Sequence, residues 1–200
     1  MFNNCNNLNE LSTELTSFIY VTNSWLGNVM SNGTFYCPLA LGTNSTISRG
    51  PSACPTNWNV VNTDVLHFTA EAANSTVRLD KSSSALSSAS LETSYNGITW
   101  SDYNWNETTG DTLTLDNVGD TVYMRAKTEN TTFSESSSNY FKFVMAGRIA
   151  AGGTIMTLLK ADGSRTDAPR YCFYNLFNDC RSLTQAPSLP ATTLASYCYY

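Results

Sequence analysis

A single histidine, only 14% charged residues and no C-x-x-C pair set the first limits on this chain of 200 residues. One histidine and scattered cysteines do not make the Cys/His spacing of a zinc site. Acidic groups outnumber basic ones, for a net charge of −5, so the basic footprint that nucleic acid or an anionic membrane demands is missing. No apolar run approaches the ~18 residues that cross a bilayer, and FKFVMAG at 141–147 is among the longest. No basic stretch followed by an apolar core opens the chain, which says nothing of secretion if Met1 is an internal methionine. G-x-S-x-G, H-E-x-x-H and a phosphate-cradling glycine loop are absent as well. His67 alternates with Leu66 and Phe68 and reads as a solvent-facing residue with no nucleophile or orienting acid beside it. The chain therefore reads as a non-enzyme, without catalytic residues, metal or cofactor.

What is abundant is polar and uncharged. Ser, Thr and Asn supply 71 of the 200 residues, yet apolar residues still make up 42% and aromatics 12%. That combination is β-rich, polar-surfaced and extracellular in character rather than disordered. Five N-x-S/T triplets, at Asn32, Asn44, Asn74, Asn106 and Asn130, are what chance predicts from this composition and carry no weight. Asp111, Asp116 and Asp120 invite a calcium reading, but they stand beside Asn and Gly without the spacing of a cation loop and read as turn residues.

Residues 63–146 show period-two alternation: Leu66/Phe68/Ala70, Val77/Leu79, Leu113/Leu115, Val122/Met124/Ala126 and Phe141/Phe143/Met145. Each set is a strand with one buried face. Asn96-Gly97 marks a hairpin, Asp116–Asp120 a turn, and 82–90 and 130–139 read as loops. Six or seven short strands in this span predict an immunoglobulin-like or fibronectin-III-like β-sandwich, without the Cys…Trp…Cys spacing of antibody domains.

The two ends behave differently. Cys172-Phe173-Tyr174 returns one unit later as Cys198-Tyr199-Tyr200, and Phe2-x2-Cys5-x2-Leu8 repeats the spacing of Phe177-x2-Cys180-x2-Leu183. The chain starts inside one copy of a unit and ends inside another, as a window cut from a longer repetitive protein would. The spacing of Cys172, Phe173, Leu176, Phe177 and Cys180 predicts one face of a short helix. Leu183, Ala186, Leu189 and Leu194, interrupted by Pro187 and Pro190, predict an extended piece. Such a unit buries its apolar side only against the next one, which is the logic of a solenoid.

The motif F-x2-C-x2-L-x5-L-P, carried by Phe177, Cys180, Leu183, Leu189 and Pro190, resembles the BspA-type leucine-rich repeat. The variant C-Y-Y-x-M-F-x2-C-x-S-L-T-x-A-P-x-L-P-A-T-T-L is similar to 172–200, with Leu176 where Met is common. The stretch 14–62, with Trp25, GTFYCP at 33–38 and CPTNWNVVN at 54–62, looks like the segment that closes such arrays, with Trp25, Phe35 and Trp58 as lids. The layout implied is an array end (1–13), a closing segment (14–62), the β-sandwich (63–146) and the start of a second array (147–200), with Thr154 capping a short helix. The fold expected is mainly β, a sandwich flanked by partial solenoid segments. The resemblance implies a secreted or cell-surface adhesion protein whose partners are host matrix or cell-surface proteins and glycans, or other bacterial cells. Alternatives are a structural or receptor-binding subunit of a phage tail or fibre, at the virion surface, and a carbohydrate-binding accessory module.

Candidate binding residues are aromatic. In WSDYNWNETT, Trp100 is the expected core residue, while Tyr103 and above all Trp105 are candidates to stack a sugar. Tyr174 with Tyr200, and Tyr171 with Tyr197, share phases of the repeat and are expected to form columns offering an amphipathic contact strip. Cys37 and Cys54 bracket a polar loop and are read either as a disulfide or as free buried thiols.

Overall fold

The computed structural model describes every residue except 1, 3, 16, 18–25, 27, 44, 45, 51 and 52. The chain is mainly β and divides into two compact units, Met1–Asp64 and Val65–Tyr200.

The first unit holds a parallel sheet of β1 (Glu10–Ser12), β2 (Thr34–Cys37) and β3 (Asn59–Asn62), in that order. Glu10 pairs with Thr34 and Thr34 with Asn59, so the chain returns to the sheet at a nearly constant interval. Phe35, Cys37 and Val60 point inward to a core shared with Leu26, Leu41, Ile47, Cys54 and Trp58. The indole N–H of Trp58 donates to Met30 O at 2.9 Å, which removes the polar cost of burying the ring. Gly33 permits this packing, because a Cβ there would overlap the Asn9 carbonyl and the Trp58 ring. Phe35 and Trp58 are both buried, whereas Trp25 lies outside the described residues.

The second unit is built on two larger sheets. One contains β10 (Leu113–Leu115), β5 (Ser75–Lys81), β9 (Thr109–Gly110) and β8 (Trp105–Asn106), with β12 (Phe141–Ala146) on the other side of β5. The other runs β15 (Leu183–Gln185), β13 (Ile149–Gly152), β4 (His67–Ala70), β11 (Thr121–Ala126), β6 (Leu91–Ser94) and β7 (Ser101–Asp102). Val77, Leu79, Phe141 and Phe143 from the first sheet share one core with Phe68, Val122 and Met124 from the second. Phe68 and Phe143 meet edge-on at 4.9 Å. The five alternating segments coincide with β4, β5, β10, β11 and β12, and their apolar members other than Ala126 lie in or against this core. Asn96 sits in the β6–β7 hairpin, its side-chain oxygen accepting from Ile98 and Thr99 N–H.

The boundary near 62/63 falls slightly later, after Asp64, and 147–200 does not stand apart from 65–146. β13 is hydrogen-bonded along its whole length to β4, and Phe143 N–H donates to Leu176 O at 2.8 Å. Thr154 caps a single 3-10 turn, Ile155–Leu158, its hydroxyl accepting from Met156 N–H. The residues of that turn are all buried.

The short helix expected over 172–180 is absent. Tyr171, Asn175 and Asp179 take left-handed φ values of 60°, 55° and 57°, which interrupt a right-handed helix every fourth residue. The result is a ribbon of turns. Even-numbered amides close them, with Cys172, Tyr174, Leu176, Asn178 and Cys180 N–H each donating three residues back. Odd-numbered amides are free to reach sideways, and Tyr171, Phe173 and Asn175 N–H donate to the carbonyls of Ser196, Cys198 and Tyr200. Beyond the ribbon, β14 (Asp167–Ala168) pairs in parallel with β16 (Thr193–Leu194), at the same offset that separates Cys172 from Cys198.

Candidate recognition surface

The sideways hydrogen bonds place the second copy of the C-Y/F-Y segment over the first in register. Tyr171 and Tyr197 stack with centroids 5.1 Å apart and planes 5° from parallel, and Tyr174 and Tyr200 stack at 5.0 Å and 6°. That separation is close to the ~4.8 Å between hydrogen-bonded chains, so ring spacing follows backbone spacing. Tyr171 and Tyr197 also share the left-handed backbone, with φ of 60° and 62°. The two columns touch edge-to-face, Tyr171 against Tyr174 and Tyr197 against Tyr200, and Tyr140 extends the strip by meeting Tyr174 at 5.6 Å. Tyr197 and Tyr200 are 51% and 72% exposed, so the strip faces solvent. Desolvation first, then the neighbouring phenols of Tyr200 and Tyr140, push the Tyr174 phenol above its ordinary value.

Arg170 lies over this strip, its guanidinium carbon 4.8 Å from the Tyr171 ring and 6.0 Å from that of Tyr197. Beside Tyr200 lies a groove of about 380 Å³ lined by Ile155, Phe173, Leu176, Phe177, Leu189 and Tyr199, together with Asn175 and Asn178.

The remaining repeat positions divide by depth. Cys172, Phe173, Leu176 and Cys198 are core. Phe177 stacks on Phe143 at 5.1 Å, the Cys180 thiol donates to Phe143 O at 3.2 Å, and Leu183 pairs with Ile149. Leu189 and Pro190 are exposed. At the other end, Asn4 adopts φ 62° where Asp179 has 57°, and Leu8 N–H donates to Cys5 O at 2.9 Å as Leu183 N–H does to Cys180 O at 3.0 Å. The two F-x2-C-x2-L segments thus share a left-handed residue before the cysteine and the same closing hydrogen bond after it.

The aromatic cluster at 100–105 is arranged otherwise than expected. Tyr103 is core, 4% exposed, its hydroxyl accepting from Leu79 N–H at 2.8 Å and donating to Leu79 O at 3.2 Å. Trp105 is packed against Tyr103 and Phe141 with Lys81 over its ring, and its N–H donates to Ala89 O at 3.1 Å. It is Trp100, expected inside, that lies half-exposed under the Arg125 guanidinium at 3.7 Å. Tyr103 is thus inside the core, while Trp105 is half-buried at its edge.

His67 is half-buried rather than solvent-facing, Nδ1 lying 2.8 Å from Val65 O and its ring against Tyr123. Asp111 accepts from the backbone and side-chain amides of Asn104, and Asp120 from Asn117 N–H, as turn residues do. Cys37 and Cys54 are buried free thiols, so the disulfide reading is replaced by its alternative. Each sulfur has its own polar neighbours: Asn62 Nδ2 at 3.8 Å from Cys37, and Arg49 Nη1 at 3.1 Å from Cys54. Burial, reinforced by Cys54, pushes the Cys37 thiol up to about 12.

Two members of the strip carried no signal in the sequence. Arg170 has Ser196 at its repeat position and Tyr140 has no counterpart, so periodicity could not single them out. No family model, curated protein or solved structure matches this chain.

Proposed function

We propose that this chain is a non-enzymatic recognition module of an extracellular adhesion protein, built from BspA-like coils around an immunoglobulin-like sandwich. The observation that carries this reading is the in-register stacking of Tyr171 on Tyr197 and Tyr174 on Tyr200, each pair one repeat apart. A stack of equivalent coils presents the same side chains at regular intervals, and a surface of that kind holds a macromolecular partner through many modest contacts. The left-handed residue and closing hydrogen bond common to the two F-x2-C-x2-L segments support the coil reading, as do the parallel ladders that recur at nearly equal offsets along the chain in both units. Two sheets around one core, one holding the antiparallel pair β4–β11 and the other β5–β12, support the sandwich reading. Tyrosine suits the contact role, since its ring supplies apolar area at small entropic cost and its hydroxyl supplies polarity.

The experiment is adhesion of the purified chain to surfaces coated with collagen, laminin or fibronectin and to epithelial monolayers, beside the double variant Tyr174→Ala/Tyr200→Ala. Saturable retention that the variant loses, with its melting temperature unchanged, is the expected result. Absence of saturable retention on every surface, or retention that the variant keeps, would reject the reading.

A further inference from the structure

We propose that the β6–β7 hairpin is a self-modification site, where the Gly97 backbone nitrogen attacks the Asn96 side-chain amide and water completes the conversion of Asn96 to aspartate and isoaspartate. The inference stands apart from the recognition reading above.

Asn96-Gly97 joins nucleophile and electrophile covalently. Attack of the Gly97 nitrogen on Asn96 Cγ closes a five-membered ring, so no encounter of separate groups is needed. Glycine also has no Cβ to obstruct the approach. The new N–Cγ bond forms and the Cγ–Nδ2 bond breaks; the Gly97 amide proton departs with Nδ2 as ammonia, and a succinimide remains. Water then opens the ring. Addition at the side-chain carbonyl gives aspartate, and addition at the backbone carbonyl gives isoaspartate.

The fold supplies what a free Asn-Gly pair lacks. Asn96 Oδ1 accepts from Ile98 N–H at 2.9 Å, from Thr99 N–H at 2.8 Å and from the Ser94 hydroxyl at 3.0 Å. Negative charge develops on this oxygen as Cγ becomes tetrahedral, so donors already aimed at it stabilise that state in the manner of an oxyanion hole. The atoms that must react stay disengaged. Among the described residues, neither Gly97 N–H nor Asn96 Nδ2 has a hydrogen-bond partner. Asn96 is exposed, so ammonia escapes and water reaches the imide.

A second Asn-Gly pair, Asn32-Gly33, is an internal control. Asn32 is exposed too, but its Oδ1 has no donor among the described residues. Gly33 is wedged against the Asn9 carbonyl and the Trp58 ring, and its own carbonyl accepts from Asn59 N–H at 2.9 Å. Ring closure there has to pull Gly33 out of this packing. At Asn96 the product adds one negative charge to the chain's −5, and isoaspartate lengthens the backbone of the hairpin that holds Trp100 under Arg125.

The test holds the purified chain in neutral buffer and follows its proteolytic peptides by mass spectrometry, with isoaspartyl methyltransferase separating isoaspartate from aspartate. A synthetic peptide of residues 93–101 carries the same Asn-Gly pair without the fold. Asn96 should convert faster in the folded chain than in the peptide, and faster than Asn32 in the same chain. Ser94→Ala removes one of the three donors and should slow conversion by about threefold to tenfold, the scale of one hydrogen bond. Its melting temperature reports whether the hairpin is still folded, and the comparison with the peptide stands without it. Conversion of Asn96 no faster in the chain than in the peptide, or slower than that of Asn32, would overturn the proposal. A folded Ser94→Ala chain that converts at the wild-type rate would overturn the role given to the donors.

Discussion

Tyr103→Phe isolates one buried hydroxyl at a break in a sheet. β5 pairs with β10 through Val77 and with β9 through Asp80, so Leu79 falls between two partners on that edge. The Tyr103 hydroxyl fills the break, accepting from Leu79 N–H at 2.8 Å and donating to Leu79 O at 3.2 Å. Leu79 is fully buried, so no water replaces the hydroxyl when it is removed. The ring stays, and with it the packing; the loss is that of a buried donor left without a partner, about 1–3 kcal/mol. For a unit of this size that lowers the melting temperature by roughly 3–9 °C, with an unchanged denaturant slope. A second signature comes from pH. Burial raises the Tyr103 phenol well above its ordinary 10.0, so the folded chain keeps a proton that the unfolded chain sheds. That stability is present below pH 10.0 and drains away as pH rises beyond it. Phenylalanine has no such proton, so the gap between wild type and variant should narrow above pH 10.0. Calorimetric melts across that range decide the matter. A variant melting within about 1 °C of wild type at neutral pH would refute the role assigned to the hydroxyl.

Gly110→Ala strikes the same place from the other side, because a Cβ there overlaps Tyr103 Oη and Leu79 O. It should cost about 1–3 kcal/mol by chemical denaturation, and less in a Tyr103→Phe background, where one of the overlapping atoms is gone. Independent, additive losses would count against this arrangement. Burial pushes the Cys172 thiol from 9.0 up to about 12, so the folded state holds its proton after the unfolded state has lost it. Stability should therefore fall as pH climbs from 9 towards 12, and less steeply in Cys172→Ala; parallel pH profiles would exclude that contribution. Residues 147–200 expressed alone should show no cooperative thermal transition by circular dichroism, since β13 loses β4 while Phe173 and Phe177 lose Phe133 and Phe143. A sharp transition from that piece would contradict the dependence.

How legible the molecule was depended on whether a pattern had length. The strands at Leu66–Ala70, Val77–Leu79 and Phe141–Met145 could be read because each has one face against the core, and period two then writes itself into the residues. β7, β8 and β9 are two residues long and carry no period. That is also why Trp100 and Trp105 could not be oriented, since parity means nothing across so short a hairpin. Phe133 and Leu86 were hidden by their surroundings: single apolar residues in Ser- and Asn-rich stretches read as loop, yet both are buried. The ribbon at 171–180 misled for a different reason, because a turn that recurs with nearly the period of a helix puts the same positions inward. Asn175 and Asp179, residue types that tolerate a left-handed backbone, were the available clue, while Tyr171 offered none. The tyrosine columns were readable because a fixed offset between copies is a property of the sequence alone. Arg170 and Tyr140 were not, because each occurs once. A repeat therefore announces which residues will lie over one another, while a residue that occurs once, such as Arg170 or Tyr140, is placed beside them only by the folded chain.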